Sequence, residues 1–358
     1  MKSAKRAATL ASIIAGTFAV GIMSTTAAEA CTRMVYHGLN NLVMTGRSMD
    51  WRDAIPADMW IFPRGMTHDG GAGPHSVHWT SKYGSLLVTS FGIAASDGMN
   101  EKGLVANLLW LAGSAYPKPD KLEHTLSIAA WAQYFLDNFA TVDEAVKAMQ
   151  KQPLGVVSDV IPGTDRFTTL HLSLSDASGD SAIFEYIDGK LVIHHGRQYQ
   201  IMTNDPSYDE QLARQQYWSE IGGTSFLPGT NRSSDRFARA SFYIHAIPKT
   251  ADPVEAAAAV MSVVRNVSVP LGISTPGQPH ISNTRWRVVA DQKDLRYFYE
   301  SARSPDTFWV DLKDANFKKG APVLRLPLAH EEVYSGNALR FFKPAKPFQF
   351  LTVEGMGQ

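Results

Sequence analysis

The stretch AEACTR at residues 28–33, together with GRSMDW at residues 46–51, decides which fold can be predicted for this chain. Cys31 is the single cysteine among 358 residues. The first six residues carry three positive charges, residues 7–23 are apolar or small, and residues 28–30 have the A-x-A spacing of a signal-peptidase site. We therefore predict that residues 1–30 are an export signal that is removed, and that residues 31–358 form one periplasmic domain.

A cysteine at the start of the mature chain would combine a nucleophile and a base in one residue. A thiol has a pKa of about 8.5 and an α-amine one of about 7.7–8.0, so near neutral pH part of the amine can accept the thiol proton. Terminal amines activate nucleophiles in this way in known enzymes. Two other interpretations stay open here. Cys31 could be a small buried apolar residue, or the acylated residue of a periplasmic binding lipoprotein, although Glu29 is unusual before an acylated cysteine.

The composition bounds the remaining possibilities. Hydrophobic residues make up 44% of the chain and charged residues 19%, with a formal net charge of zero. Such a balance is typical of a globular protein and gives no indication of a nucleic-acid partner. One cysteine excludes an internal disulfide, and after the signal no apolar run approaches the roughly 20 residues that span a bilayer. The scattered histidines lack the spacing of a zinc site, and no nucleotide or cofactor motif is present, so we expect neither metal nor organic cofactor.

The order of apolar periodicities predicts an α+β fold. Strand-like and helix-like segments come in blocks rather than in βαβ alternation, which favours antiparallel sheets covered by helices. Residues 98–103 are predicted as a tight turn, and residues 126–139 as a helix. Thr141 with Glu144, and Asp252 with Pro253 and Glu255, are predicted helix starts. The predicted strands cover residues 32–36, 42–47, 85–91, 103–111, 168–174, 181–186, 191–195, 200–203, 284–299 and 307–312, and the further predicted helices residues 207–219, 234–245 and 252–267.

Five short blocks in order resemble the choloylglycine hydrolase and penicillin V acylase family. They are CTR with GRSMDW (31–33 and 46–51), GMNEKGL (98–104), MTNDP (202–206), LPG (227–229) and SDRF (234–237). This resemblance implies hydrolysis of linear amides by an N-terminal nucleophile. It also implies a four-layer αββα sandwich, with two antiparallel sheets between helical layers, and assembly into a homo-oligomer, by family resemblance a homotetramer.

The same resemblance implies a role for each matching residue. Cys31 is the expected nucleophile, Arg47 lies beside its thiol, and Asp50 binds the terminal amine. An arginine and an aspartate three residues apart could instead form a surface ion pair. Asn204 is expected to donate a hydrogen bond to the developing oxyanion, with a backbone N–H at Trp110, or a neighbouring residue, as the second donor.

Three further expectations concern the surroundings of the thiol. Arg236 is expected to complete the charged network, rather than lie on a solvated helix face. Trp51 and Trp110 are expected to form an aromatic wall for an apolar acyl group, although tryptophans in such runs are more often core residues. Tryptophan at position 110 departs from the asparagine or tyrosine that is common in the family, which leaves substrate choice open.

The short interval between Asn204 and Arg236, together with the signal, indicates the Gram-negative branch of the family. The expected substrates are therefore penicillin V or N-acyl homoserine lactones, and cleavage of the latter would be a quorum-quenching role. Conjugated bile salts are the alternative substrates. An inactive relative that uses the pocket for binding is a further alternative.

Overall fold

Two stacked β-sheets form the centre of the molecule. The computed structural model describes residues 31–118, 122–164, 166–273, 282–304, 306–330 and 332–353; the predicted signal peptide, residues 1–30, lies outside them. Within the described residues, the first sheet contains seven strands in the spatial order β14 (Ile201–Thr203), β1 (Thr32–His37), β2 (Val43–Trp51), β15 (Asn283–Asp291), β16 (Arg296–Ser301), β17 (Thr307–Asp311) and β19 (Gly336–Asn337).

The second sheet lies against the first and is larger. Its nine described strands follow the order β13 (Lys190–His195), β12 (Ser181–Ile187), β11 (Leu170–Ser175), β8 (Val105–Trp110), β7 (Ala94–Asn100), β6 (Ser85–Ser90), β3 (Asp58–Phe62), β18 (Leu324–Pro327) and β20 (Lys343–Pro344). Two ribbons pair β4 (Thr67–Asp69) with β5 (His78–Thr80) and β9 (Thr125–Ser127) with β10 (Gly155–Val157). The described strands of both sheets pair antiparallel, as predicted, except at one edge of the first sheet, where β17 and β19 are parallel.

Helices cover the outer face of each sheet. They are α1 (Trp131–Asn138), α2 (Val142–Lys151), α3 (Tyr208–Ile221), α4 (Ser233–Ala246) and α5 (Pro253–Asn266), with 3-10 turns at Ile128–Ala130, Leu312–Asp314 and Ala338–Phe341. Helices α1 and α2 contact β7, β8 and β12, whereas α4 and α5 contact β1, β14, β2 and β15. The predicted αββα order of layers is confirmed. Among the described residues, no helix is both long enough and apolar enough to cross a bilayer.

Alternation along the strands explains why both faces of each sheet are buried. On β6, Leu86 belongs to the cluster between the sheets and Leu87 to the cluster under α1, since successive side chains point to opposite faces. Gly46 lets α5 approach β2, because a Cβ there would lie 2.7 Å from Val264 and 2.9 Å from Val260. The first sheet and its helices are therefore in close contact next to the GRSMDW stretch.

The predicted turn at residues 98–103 is wrong in its first half. Strand β7 continues to Asn100, and the chain turns only at residues 101–103. The side-chain oxygen of Asn100 accepts from the backbone N–H groups of Lys102 (2.9 Å) and Leu104 (3.1 Å), which ends the strand. Within the strand, Gly98 stands where a Cβ would lie 2.5 Å from the Leu86 carbonyl oxygen on β6 and 2.9 Å from Leu136 on α1.

The predicted helix at residues 126–139 begins later than expected. Its first residues form β9, which pairs in parallel with β10, and α1 starts only at Trp131. Ser127 accepts a hydrogen bond from the Ala129 N–H at 3.3 Å and so caps the intervening 3-10 turn. The caps at Thr141 and Asp252 are confirmed, since each side chain accepts from backbone N–H groups of the first helical turn.

Candidate active site

Cys31 lies at the open end of the β1–β2 hairpin. It precedes β1, and the next residue, Thr32, pairs with Ser48 on β2. The side chain is buried, with 3% of its surface exposed. Its Sγ accepts a hydrogen bond from the Asp50 N–H at 3.5 Å and lies 3.8 Å from Met49 Sδ. The hairpin register thus brings residues 49 and 50 against the thiol.

The alternation of β2 places Arg47 and Asp50 on opposite faces of the first sheet. Arg47 reaches between the sheets to Asp97 on β7, whereas Asp50 accepts a hydrogen bond from Ser48 on its own face. Both side chains are fully buried, so the surface ion pair that their spacing allowed does not form. The Arg47 guanidinium therefore lies beside the thiol, whereas Asp50 contacts the thiol through its backbone and directs its carboxylate to the other face of the sheet.

A buried network fixes the Arg47 guanidinium. Its Nη1 contacts Asp97 at 3.3 Å, its Nη2 donates to the Leu108 carbonyl at 2.9 Å and lies 3.9 Å from Cys31 Sγ. The Asp97 carboxylate also accepts from Tyr297 Oη (2.6 Å) and Asn107 Nδ2 (2.8 Å). Burial raises the pKa of Asp97, and Arg47 opposes that shift. Positive charge is consequently held next to the thiol, where it favours the thiolate.

Asp50 is held by two hydroxyl groups. Ser48 Oγ donates to Oδ2 at 3.1 Å and Thr284 Oγ1 donates to Oδ1. Burial raises the pKa of Asp50 to about 6, while Arg236, the two hydroxyl donors and Arg47 act in the opposite direction. The carboxylate is charged above that pH, where it can bind an ammonium group.

The raised pKa gives a prediction for stability. Because the folded-state pKa of about 6 exceeds the ordinary value of 3.8, the folded state binds this proton more tightly, and stability falls as the pH rises from about 4 to about 6. In the chain that retains residues 1–30, which has no terminal ammonium at Cys31, the wild-type free energy of unfolding should drop by up to about 3 kcal/mol over that interval relative to an Asp50→Asn variant. Urea unfolding at pH 4 and 7 measures it, with Ser48→Ala as a control that keeps the carboxylate. Parallel pH dependences of wild type and Asp50→Asn would contradict the prediction.

Asn204 and Arg236 meet beside Cys31, although 32 residues separate them. Arg236 Nη2 donates to Asn204 Oδ1 at 3.2 Å, and Arg236 Nη1 donates to the Cys31 carbonyl at 2.6 Å. With its oxygen bound in this way, the Asn204 amide directs Nδ2 toward the Trp110 carbonyl, 2.8 Å away. Arg236 is buried on α4 rather than solvated, and its contacts orient both residues.

The end of β8 presents backbone groups to the site. Strand β8 pairs with β7 only from Val105, opposite Met99, to Asn107, opposite Asp97. Residues 108–110 of β8 therefore extend beyond the part that is paired with β7. The Leu111 N–H donates to the Thr169 carbonyl, on the side of β8 that faces β11. Because the backbone polar groups of successive residues point to alternate edges of a strand, those of Leu108 and Trp110 point away from β11. The carbonyls of these two residues accept from Arg47 and Asn204. By the same alternation, the Trp110 N–H lies on the same edge of β8 as these two carbonyls.

An apolar cavity opens beside Cys31. Trp51 and Trp110 both line it, with ring centroids 5.5 Å apart and planes at 65°. Apart from Cys31, its polar lining side chains are Ser90, Ser96 and Thr168, and among the residues that the structure describes no charged side chain lines it. The two tryptophans therefore stand where an apolar group attached to a reacting carbonyl would lie.

Sequence reasoning missed several residues of this site. Asp97, Tyr297 and Thr284 hold Arg47 and Asp50, and Gln211 Nε2 lies 3.2 Å from the Asn204 carbonyl. Arg166 packs on both tryptophan rings. Of these residues, only Asp97 could have been found from the sequence, because it directly precedes the GMNEKGL block that resembles the family. Among the described residues, no cluster of three or more His, Cys, Asp or Glu side chains could hold a metal ion.

A buried thiol beside an arginine, with a carboxylate on the opposite face of the same strand, an amide donor nearby and an apolar cavity, has the components of a cysteine-dependent amide hydrolase. Comparison with known families gives the same class. The family of linear amide C–N hydrolases, choloylglycine hydrolase family, matches residues 31–324, and this chain belongs to it.

The chain is similar to two penicillin V acylases. It is 52% identical to that of Pectobacterium atrosepticum over 346 residues, which cover 90% of this chain and 92% of the relative. The solved structure of penicillin V acylase from Agrobacterium tumefaciens is 58% identical with a TM-score of 0.84, and the match covers 90% of this chain and 100% of that one. A bile salt hydrolase/transferase from Clostridium perfringens is 24% identical over 80% of this chain and 93% of its own length. The chain is therefore an amide hydrolase with the N-terminal-nucleophile fold of these relatives.

Proposed function

We propose that this chain is an exported acylase that removes apolar acyl groups from linear amides such as penicillin V and N-acyl homoserine lactones. The observation that carries the proposal is the uncharged, tryptophan-walled cavity that begins at the Cys31 thiol. Such a cavity suits a phenoxy ring or an alkyl chain, and it cannot solvate a charged acyl group. Identity of 52% and 58% to penicillin V acylases supports this choice over bile salts, for which identity is 24%. Cleavage of acyl homoserine lactones would make the protein quorum-quenching.

In the proposed reaction, Cys31 Sγ forms a bond to the amide carbonyl carbon while its α-amine takes the thiol proton. The negative charge that moves to the carbonyl oxygen is bound by Asn204 Nδ2 and the Trp110 N–H, and one such donor is worth about 2.7–4 kcal/mol of barrier. Asp50 stabilises the resulting ammonium. The C–N bond then breaks, the ammonium proton passes to the leaving amine, and water hydrolyses the remaining thioester.

This mechanism requires removal of residues 1–30 in the periplasm. The family match beginning at Cys31 supports that boundary. Amino-terminal sequencing of the exported protein should start at Cys31, and its mass should match an unmodified chain. An added mass of several hundred daltons would instead indicate the acylated cysteine of a binding lipoprotein. Assembly into a homotetramer stays a prediction.

A hydrolysis panel tests the choice of substrate. Penicillin V, a long-chain acyl homoserine lactone and glycocholate are offered to the exported protein, with Cys31→Ala as the inactive control. We expect the highest kcat/KM on penicillin V or the acyl homoserine lactone, because the cholyl group of glycocholate would bury hydroxyl groups in the apolar cavity, whereas a phenoxyacetyl or alkanoyl group carries none. A higher kcat/KM on glycocholate would refute the proposal in favour of a bile salt hydrolase, and binding without turnover would indicate an inactive relative.

A further inference from the structure

Residues 345–353, called the C-terminal segment below, lie against the second sheet and pass beside the cavity. Phe348 packs on Trp60 of β3 with ring centroids 5.5 Å apart, and Phe350 packs on His68 of β4 with centroids 5.8 Å apart. Both phenylalanines join the apolar cluster under α1. Because aromatic side chains bury large apolar areas, these contacts hold the segment in place before it reaches the cavity.

The backbone of Leu351 is bound on both sides. Its N–H donates to the Ile93 carbonyl at 2.9 Å, and its carbonyl accepts from Ser127 Oγ at 2.6 Å. Two residues further on, Val353 is buried, and its N–H donates to the Gly71 carbonyl at 2.7 Å. The Leu351 side chain lines the cavity. It is therefore a fixed part of the cavity wall, although it comes from the other end of the chain.

Leu351 lines the cavity at a distance from the reacting sulfur. Asp97 on β7 marks the thiol end, since it contacts Arg47, which lies 3.9 Å from Cys31 Sγ. Ile93, which binds the Leu351 N–H, precedes Asp97 by four residues, up to about 13 Å of extended chain. An acyl group whose carbonyl carbon lies at the thiol would thus approach Leu351 with its far carbon atoms.

We propose that Leu351 determines the length of the acyl group that the cavity accepts; this inference rests on the proposed function. An acyl chain of matching length covers the apolar Leu351 side chain. A longer one meets a residue that can move away only by breaking two backbone hydrogen bonds. One methylene group in an apolar enzyme pocket changes discrimination by about tenfold or more. The family match ends at residue 324, so the C-terminal segment lies outside it.

A series of substrates that differ only in acyl length tests this proposal. The series consists of N-acyl homoserine lactones with unbranched chains from hexanoyl to tetradecanoyl. Leu351→Ala removes three carbon atoms from the wall, so we expect the ratio of kcat/KM on the longest to that on the shortest lactone to rise about tenfold. Leu351→Phe adds bulk and should lower the same ratio by a similar factor. Leu351→Met conserves volume and should keep it within about twofold.

Val353→Ala is the matched control within the C-terminal segment. Val353 packs with Ala72 and Val157 in a separate apolar cluster, so its truncation loosens the segment while Leu351 keeps its side chain. The ratio should stay within about twofold of the wild-type value, and thermal unfolding midpoints show how far each variant is destabilised.

Two results would overturn the inference. One is a ratio that neither Leu351→Ala nor Leu351→Phe changes, which would leave Leu351 as a support for the segment. The other is an equal change of the ratio in Val353→Ala, which would assign the effect to the stability of the segment. If the wild-type protein hydrolysed no lactone of the series, the proposed cleavage of acyl homoserine lactones would itself fail, and this inference with it.

Discussion

A Cys31→Ser variant is expected to lose at least about 10³-fold in kcat/KM on every amide substrate, because a hydroxyl group is a far weaker nucleophile than a thiol beside a cation. The replacement is nearly isosteric, and Cys31 is buried at the end of the β1–β2 hairpin. We therefore expect the fold to persist, with a thermal unfolding midpoint close to that of the wild type. Initial rates on penicillin V measure the loss.

Ser96→Ala is the matched control for this variant. Ser96 lines the same cavity, and its hydroxyl group donates a hydrogen bond to the Val88 carbonyl at 3.1 Å. It should keep most of the activity. Unchanged turnover by a folded Cys31→Ser protein would show that the thiol does not form the covalent intermediate.

A single residue placed before Cys31 is expected to abolish activity with the side chains of the site intact. The α-amine would become an amide nitrogen, which cannot accept the thiol proton, and Asp50 would lose the ammonium that it stabilises. Arg47 would still lie 3.9 Å from the thiol. We therefore expect the extended protein to form the thiolate and react with iodoacetamide, but not to hydrolyse amide substrates.

The two measurements must be made on one preparation, with the added residue verified by mass spectrometry. Removal of that residue by an aminopeptidase should restore hydrolysis, which excludes damage to the fold. Activity in the verified extended protein would contradict the proposed base and require another side chain to accept the proton.

The buried residues around the thiol have different origins in the chain. Arg47 and Asp50 follow from the hairpin, because pairing of Thr32 with Ser48 brings both to Cys31. Asp97 lies 50 residues from Arg47, and Tyr297 lies 200 residues from Asp97. Their meeting depends on how the second sheet stacks on the first, and no local pattern encodes that.

Two of the errors in secondary structure have a similar cause. Gly98 is typical of a turn, but it lies in β7, where the Leu86 backbone and Leu136 of α1 leave no room for a side chain. Residues 126 and 127 belong to the predicted helix, yet they pair with β10. In both places a tertiary contact overrides the local propensity.

By itself, the amino-acid sequence determined the position of the cysteine, the hairpin that follows it, and the alternation that separates Arg47 from Asp50, because these depend on neighbours along the chain. Only the tertiary structure decided that Asp97 and Tyr297 hold Arg47, that Arg236 orients Asn204, and that Arg166 stacks on Trp51 and Trp110. The physical reason is that these contacts join distant segments, and their geometry is set by the packing of two sheets and their helices rather than by local conformational preference.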